Sequence, residues 1–173
     1  MRNNLKLNSG YTLVELIIVI AIIAIMSGAG IFTVSAIRTS QATASMQKFD
    51  SELSALEMRT KTQKSGEAIR IVQNGANYDI FYGICTDGNP STFTANSTTA
   101  DKVLERVTIY YAEDYDADSA TTPLTEQGIV IRKSDSQVLA GYGEYRFCKY
   151  NSDKNVGRVS LNQYTGGHTY GRN

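Results

Sequence analysis

From Leu16 to Ile37 the chain carries no charged residue, and one carboxylate, Glu15, stands directly before this run. As a helix, about 22 residues extend roughly 33 Å, which matches the hydrocarbon core of a bilayer. The part from Leu16 to Met26 is almost wholly Ile, Leu, Val and Ala, while Ser27, Gly28, Gly30, Thr33 and Ser35 dilute the rest. Arg2 and Lys6 precede the run with no acidic residue among them. By the positive-inside rule the short tail stays in the cytoplasm and everything after Arg38 is exported. A secretory signal peptide shares the basic start and apolar core, and "MSGAG" at 26–30 loosely offers it a cleavage site. Such a peptide has no use for Glu15, however. A carboxylate in a membrane segment is costly and marks a function that needs a partner.

An amine can be that partner. If the chain is cut between Gly10 and Tyr11, the new amino terminus lies at the membrane face, and Glu15 follows four residues later on nearly the same side of a helix. In a stack of identical subunits the amine of an incoming chain meets Glu15 of a neighbour, and two charges are neutralised in an apolar place. The stretch "SGYTLVELIIVIAIIAI" resembles the class III leader and N-terminal helix of type IV pilins and pseudopilins, through Gly10, Tyr11, Thr12, Leu13, Val14 and Glu15 in register with the basic leader and the apolar run. The resemblance reaches to roughly Gln63, about a third of the chain. It implies that Gly10 ends a leader removed by a prepilin peptidase, that Tyr11 becomes the N-methylated terminus, and that Glu15 guides subunit docking. Two positions depart from the pattern: Tyr11 replaces the usual Phe, and Phe32 stands where many major pilins have a helix-bending proline.

Beyond Arg38, Ala42, Met46, Phe49, Leu53 and Leu56 recur at spacings of four and three, one apolar stripe of a helix that continues to about Lys64 and stops at Gly66. Afterwards the period becomes strand-like in "AIRIV", "YDIFYGI", "VLERVTIYYA", "QGIVIRK", "EYRFCKY" and "GRVSLNQ", with turn signals at Asn74-Gly75, Asp87-Gly88 and Gly166-Gly167. The expected fold is α+β and type IV pilin-like: one long N-terminal helix, apolar in its first half, packed on an antiparallel β-sheet head of six to eight strands. The expected divisions are a leader at 1–10, a transmembrane or filament-core helix at 11–38, its amphipathic continuation at 39–65, and the head at 66–173. The ending "VGRVSLNQYTGGHTYGRN" is similar to that of H-type minor pseudopilins. The plainer reading makes Gly157 a bulge and leaves Arg158 in solvent.

The 17 basic and 17 acidic residues balance, and cleavage after Gly10 removes Arg2 and Lys6. A slightly acidic mature chain gives nucleic acid no general attraction and leaves room only for a local patch. Cys85 and Cys148 are the only cysteines. In an exported head they either form a disulfide across the sheet or stay as two buried thiols; pilins often carry a cysteine pair, but commonly nearer the C-terminus. Asp114, Asp116 and Asp118 are spaced like the start of a calcium loop, yet Ser119 takes the glycine position and Thr125 falls where the bidentate Glu belongs, so a solvated acidic loop is expected. The single histidine, His168, has no companion for a metal and reads as a surface residue. Asn96-Ser97-Thr98 fits a glycosylation sequon, a pattern short enough to arise by chance. No nucleophile–base–acid set, phosphate loop or metal cluster emerges, so neither an enzyme nor a cofactor is expected.

The expected function is therefore a structural subunit of a type IV pilus or related pseudopilus, serving adhesion, motility, secretion or DNA uptake. The resemblance implies as partners the chain itself and other pilin-like subunits, the prepilin peptidase, an inner-membrane platform with a cytoplasmic ATPase, and membrane lipid before assembly. It implies a single pass through the cytoplasmic membrane first, then a surface or periplasmic filament. The alternative is a membrane-tethered extracellular binding module that never polymerises, for which Glu15 is dispensable and Gly10 is not cut.

Overall fold

The structure is a computed structural model that describes residues 11–62 and 66–172, with the side chains of all of these except 28–33 and 87. Gly10 and Lys64 lie outside the described residues. The chain divides into two compact units between Ile37 and Arg38. Both contain part of one helix, α1, Leu13–Thr62. No helix among the described residues is long and apolar enough to cross a membrane. The expected single pass over 11–38 includes residues 28–33, whose side chains lie outside the described ones.

In the first unit every described side chain from Tyr11 to Ser27 is exposed. In the second, the predicted stripe is the buried face of α1: Ala42, Met46, Phe49, Leu53 and Leu56 are each fully buried. Glu57 and Lys61, one turn apart on the same helix, pair at 2.5 Å outside that stripe.

Ten strands follow: β1 (Glu67–Asn74), β2 (Asn77–Ile84), β3 (Thr94–Ala95), β4 (Lys102–Leu104), β5 (Val107–Ala112), β6 (Glu126–Ile131), β7 (Val138–Ala140), β8 (Gly143–Lys149), β9 (Asn155–Leu161) and β10 (His168–Arg172). They form two antiparallel sheets rather than one. Sheet A has the order β3-β2-β1-β6-β7, with β4 sharing the outer edge of β2, and sheet B the order β10-β9-β8-β5. The expected single strand "VLERVTIYYA" is cut in two, and its halves belong to different sheets. The break is Arg106, whose φ of 46° turns the chain while its N–H donates to Asn77 Oδ1 at 3.0 Å. Asn74-Gly75 joins β1 to β2 and Gly166-Gly167 lies in the β9–β10 connection, whereas Asp87-Gly88 falls in a short 3-10 turn rather than a hairpin.

The second half of α1 is held against both sheets. Phe49 stacks at 5.0 Å from Tyr145 and 5.5 Å from Phe147 of sheet B. On the sheet A side, Tyr82 donates its hydroxyl to buried Glu52, Arg59 lies 3.9 Å over the Tyr82 ring, and Lys48 Nζ donates to the Val103 carbonyl at 2.7 Å. Ile69, Ile71, Ile80, Ile129, Ile109, Val159 and Leu161 complete one apolar core, because alternation turns every second strand residue toward the helix.

Candidate assembly site

The site begins at the helix start. Thr12 precedes α1 and accepts the Glu15 N–H on Oγ1 at 3.2 Å. In return Glu15 Oε2 accepts the Thr12 N–H and the Thr12 hydroxyl, each at 3.3 Å. This is a reciprocal capping box, in which two amides left over at a helix start are satisfied together. The carboxylate also sits in the first turn, at the positive end of the helix dipole. Glu15 therefore has a local partner that the sequence reading passed over, although Thr-x-x-Glu before an apolar run is its sequence signal. Both local bonds use Oε2; Oε1 has no hydrogen-bond partner among the described residues.

Behind the cap the helix is apolar on every side. Leu13 and Ile25 are 76% and 74% exposed, and even Ile17 is half exposed. A helix greasy all round is stable only among other apolar helices or in lipid. The segment thus offers apolar side surfaces, one carboxylate oxygen with no partner among the described residues, and Tyr11, itself 87% exposed.

The other candidates fall elsewhere. The expected disulfide is not formed: Cys85 and Cys148 are both free and buried. Cys85 follows β2 and packs with Ala68 and Val130 on the outer side of sheet A. Cys148 belongs to sheet B, where its neighbour Phe147 takes the core face, and its thiol approaches the Asp153 carbonyl at 3.7 Å. Burial pushes both thiols up, which keeps them protonated and unreactive. Among the described residues no group of three or more His, Cys, Asp or Glu is placed to hold a metal ion. The acidic loop is not simply solvated: Asp118 takes Arg158 at 2.8 Å and Arg146 at 3.4 Å. Nor does Arg158 stand in water, since it also binds Glu144 at 2.8 Å. Gly157 stands at the expected bulge, where the β8–β9 register shifts between Phe147 and Cys148, and it also serves close packing: a Cβ there would clash with the Gly171 carbonyl oxygen and lie 2.7 Å from Met46 Sδ. His168 is not a free surface residue; its Nε2 lies 3.1 Å from Ser54 Oγ and 3.4 Å from Asp50 Oδ1, tying β10 to α1.

Residues 5–31 match the family model of the prokaryotic N-terminal methylation motif. The match supports a class III prepilin-like leader, and with it a type IV pilin-like or pseudopilin precursor. The motif supports processing by a prepilin peptidase and self-assembly with pilin-like subunits, and it suggests a membrane-anchored precursor later exposed at the surface. The long helix on antiparallel sheets is consistent with a type IV pilin-like fold. No curated protein and no solved structure matches the chain.

Proposed function

We propose that this chain is a structural subunit of a type IV pilus or related pseudopilus. A prepilin peptidase cuts after Gly10, Tyr11 becomes the methylated terminus, and copies polymerise through the apolar first part of α1. The observation that carries this reading is the match over residues 5–31, on a helix whose described apolar side chains from Leu13 to Met26 are exposed on all sides. Glu15 then acts in two places. One oxygen closes the chain's own capping box, and the other receives the amine of a neighbouring subunit. The divisions follow: a leader at 1–10, the assembling helix at 11–38, its continuation at 39–65 and the head at 66–173.

A second reading is favoured by the capping box itself. If local capping is all that Glu15 does, the chain is a tethered binding module and needs no neighbour. Gln keeps the capping geometry and loses the charge, so Glu15→Gln separates the two. In a pilin, Glu15→Gln and Glu15→Ala both abolish incorporation into filaments while the protein stays in the membrane. Incorporation of Glu15→Gln at the wild-type level overturns the pairing role. Mass spectrometry of filaments sheared from the native host supplies the second check. A peptide beginning at methylated Tyr11 is expected, and its abundance assigns rank: dominant for a major pilin, scarce for a minor one. A chain uncut at Gly10 returns the tethered module.

A further inference from the structure

The segment after β2 folds back over the outer face of sheet A. Two glycines accept it. A Cβ at Gly83 would lie 2.7 Å from the Phe93 ring, and one at Gly128 would lie 2.9 Å from Pro90. The segment is cross-tied by Thr92, whose hydroxyl oxygen accepts the Thr86 N–H at 2.9 Å and whose hydroxyl proton points to the Asn89 carbonyl at 2.8 Å. It then runs as β3 along β2, and the Asn96 N–H reaches the Tyr82 carbonyl at 2.9 Å.

Beside this covered area a groove of about 500 Å³ remains open, within the usual range of about 300–1,000 Å³ for small-molecule sites. Val72 and Phe81, both half-buried on the outer face of the sheet, line it from below, and Phe93 lines it from the folded segment. Asn96, Ser97 and Thr98 form its polar lip. Arg70 stands directly across the strand pair from Phe81 and is held on three sides. Its Nε meets Glu126 at 3.2 Å, its Nη2 donates to the Pro90 carbonyl at 3.3 Å, and its Cζ lies 4.5 Å from the Phe93 ring centre. The guanidinium is fixed, and its Nη1 has no hydrogen-bond acceptor among the described residues.

These surroundings narrow the ligand. Glu126 already balances the Arg70 charge, so the groove is not an anion trap. A wholly apolar ligand would bury the amide and hydroxyl groups of the lip unpaired, at a cost. A molecule with one C–H face and a rim of hydroxyls satisfies both halves. We propose that this groove is a binding site for a neutral sugar, with Phe81 as the platform for the ring's C–H face and Arg70, Asn96 and Thr98 as hydrogen-bond partners of its hydroxyls. The site is independent of Glu15 and of polymerisation, so it stands or falls apart from the assembly reading.

The test uses the full mature chain in phosphocholine-headed micelles, because glucoside or maltoside detergents carry the ligand chemistry themselves. Maltotriose, lactose and N-acetyllactosamine are titrated by saturation-transfer NMR, with glucuronate as the anionic counterpart. At least one neutral saccharide is expected to bind with a Kd of about 1 mM or tighter. Phe81→Ala is expected to weaken it about tenfold, the scale of losing a central aromatic contact. Asn96→Ala weakens it as well, and Tyr164→Ala, outside the groove, leaves it unchanged. Asn96 is exposed, so its variant keeps the test open should Phe81→Ala not fold. Absence of neutral-sugar binding, tighter binding of glucuronate, or undiminished binding in both groove variants overturns the proposal.

Discussion

The two halves of α1 share one backbone and make opposite demands. From Leu13 to Met26 the apolar side chains are exposed around the whole helix; from Ala42 to Leu56 a single stripe is apolar and it is fully buried. The second half finds its apolar partner in its own chain, in the ring cluster of Phe49, Tyr145 and Phe147. The first half has to find it outside the chain. Stability therefore resides in one half, and the proposed function places association in the other. The largest expected effect tests that division. Phe49→Ala should cost about 3–5 kcal/mol of head stability, as large-to-small changes in packed cores do. Ile20→Ala should leave head unfolding within about 0.5 kcal/mol of wild type, since no packed neighbour is lost. Urea unfolding of the full chain in micelles, followed by near-UV circular dichroism, measures both. A large loss from Ile20→Ala would mean that the first half is folded against something intramolecular.

Tyrosines give the next effect, and again only the second unit should show it. Burial raises the phenols of Tyr78, Tyr111 and Tyr145, and burial followed by the Glu52 hydrogen bond raises Tyr82. Tyr110 is pushed up to about 12, first by its hydrogen bond to Asp153, made at 2.6 Å, and then by burial. Each folded value lies above the unfolded value of about 10, so folding favours the protonated phenol. The resulting stability is complete below pH of about 10 and is lost as pH rises through the folded values. Tyrosinate absorbance should stay low for these residues until the head unfolds cooperatively in that alkaline window. A gradual titration of all tyrosines near pH 10, with circular dichroism unchanged, would contradict the packing described for the core.

The division between the halves was legible in the sequence, because charge absence and a three–four stripe are local patterns. The strands of β1, β2, β6, β8 and β9 were legible for the same reason. Their partition into two sheets was not. Alternation says which residues share a face, but not which sheet a strand joins, and only the Arg106 turn divides β4 from β5. The cysteines failed on the same ground: two thiols in strand-like runs looked bridgeable until their strands belonged to different sheets. Arg158 looked solvent-bound because its partners, Asp118 and Glu144, are distant in sequence. At the site, Glu15 is legible as unusual, whereas its local bond to Thr12, signalled by Thr-x-x-Glu, is masked by the apolar run that follows and gives the same carboxylate a membrane role. Arg70 and Phe81 occupy the positions of β1 and β2 that alternation assigns to the outer face, and the groove there is made by a folded-back segment that alternation does not reveal.

The cap at Thr12 is the next smaller test. Thr12→Ala should cost the helix start about 1 kcal/mol and Thr12→Ser much less, since only the first loses the oxygen that accepts the Glu15 N–H. Hydrogen exchange at the amides of the first turn reads this directly, and head amides should not change. If Thr12→Ala also blocks filament incorporation while Glu15 remains, the cap positions the carboxylate for its neighbour. If incorporation is unaffected, the pairing role does not depend on the cap.

The smallest effect concerns the solvent side of the second half, the counterpart of the exposed apolar surface of the first. Glu57 and Lys61 pair there at 2.5 Å, with the lysine side chain 55% exposed and the acid N-terminal to the base, the favourable order on a helix. Exposed pairs of this kind contribute about 0.3–0.5 kcal/mol. Lys61→Ala should lower stability by that amount in dilute buffer. The difference should vanish in 1 M salt, where screening acts within about 3 Å. This face then contributes little beyond its hydration, unlike the exposed side chains of the first half, whose removal from water drives association in the proposed function. A loss from Lys61→Ala that is larger and insensitive to salt would break the contrast. It would mean that the charged face also meets a neighbouring subunit, and that association is not confined to the apolar half of α1.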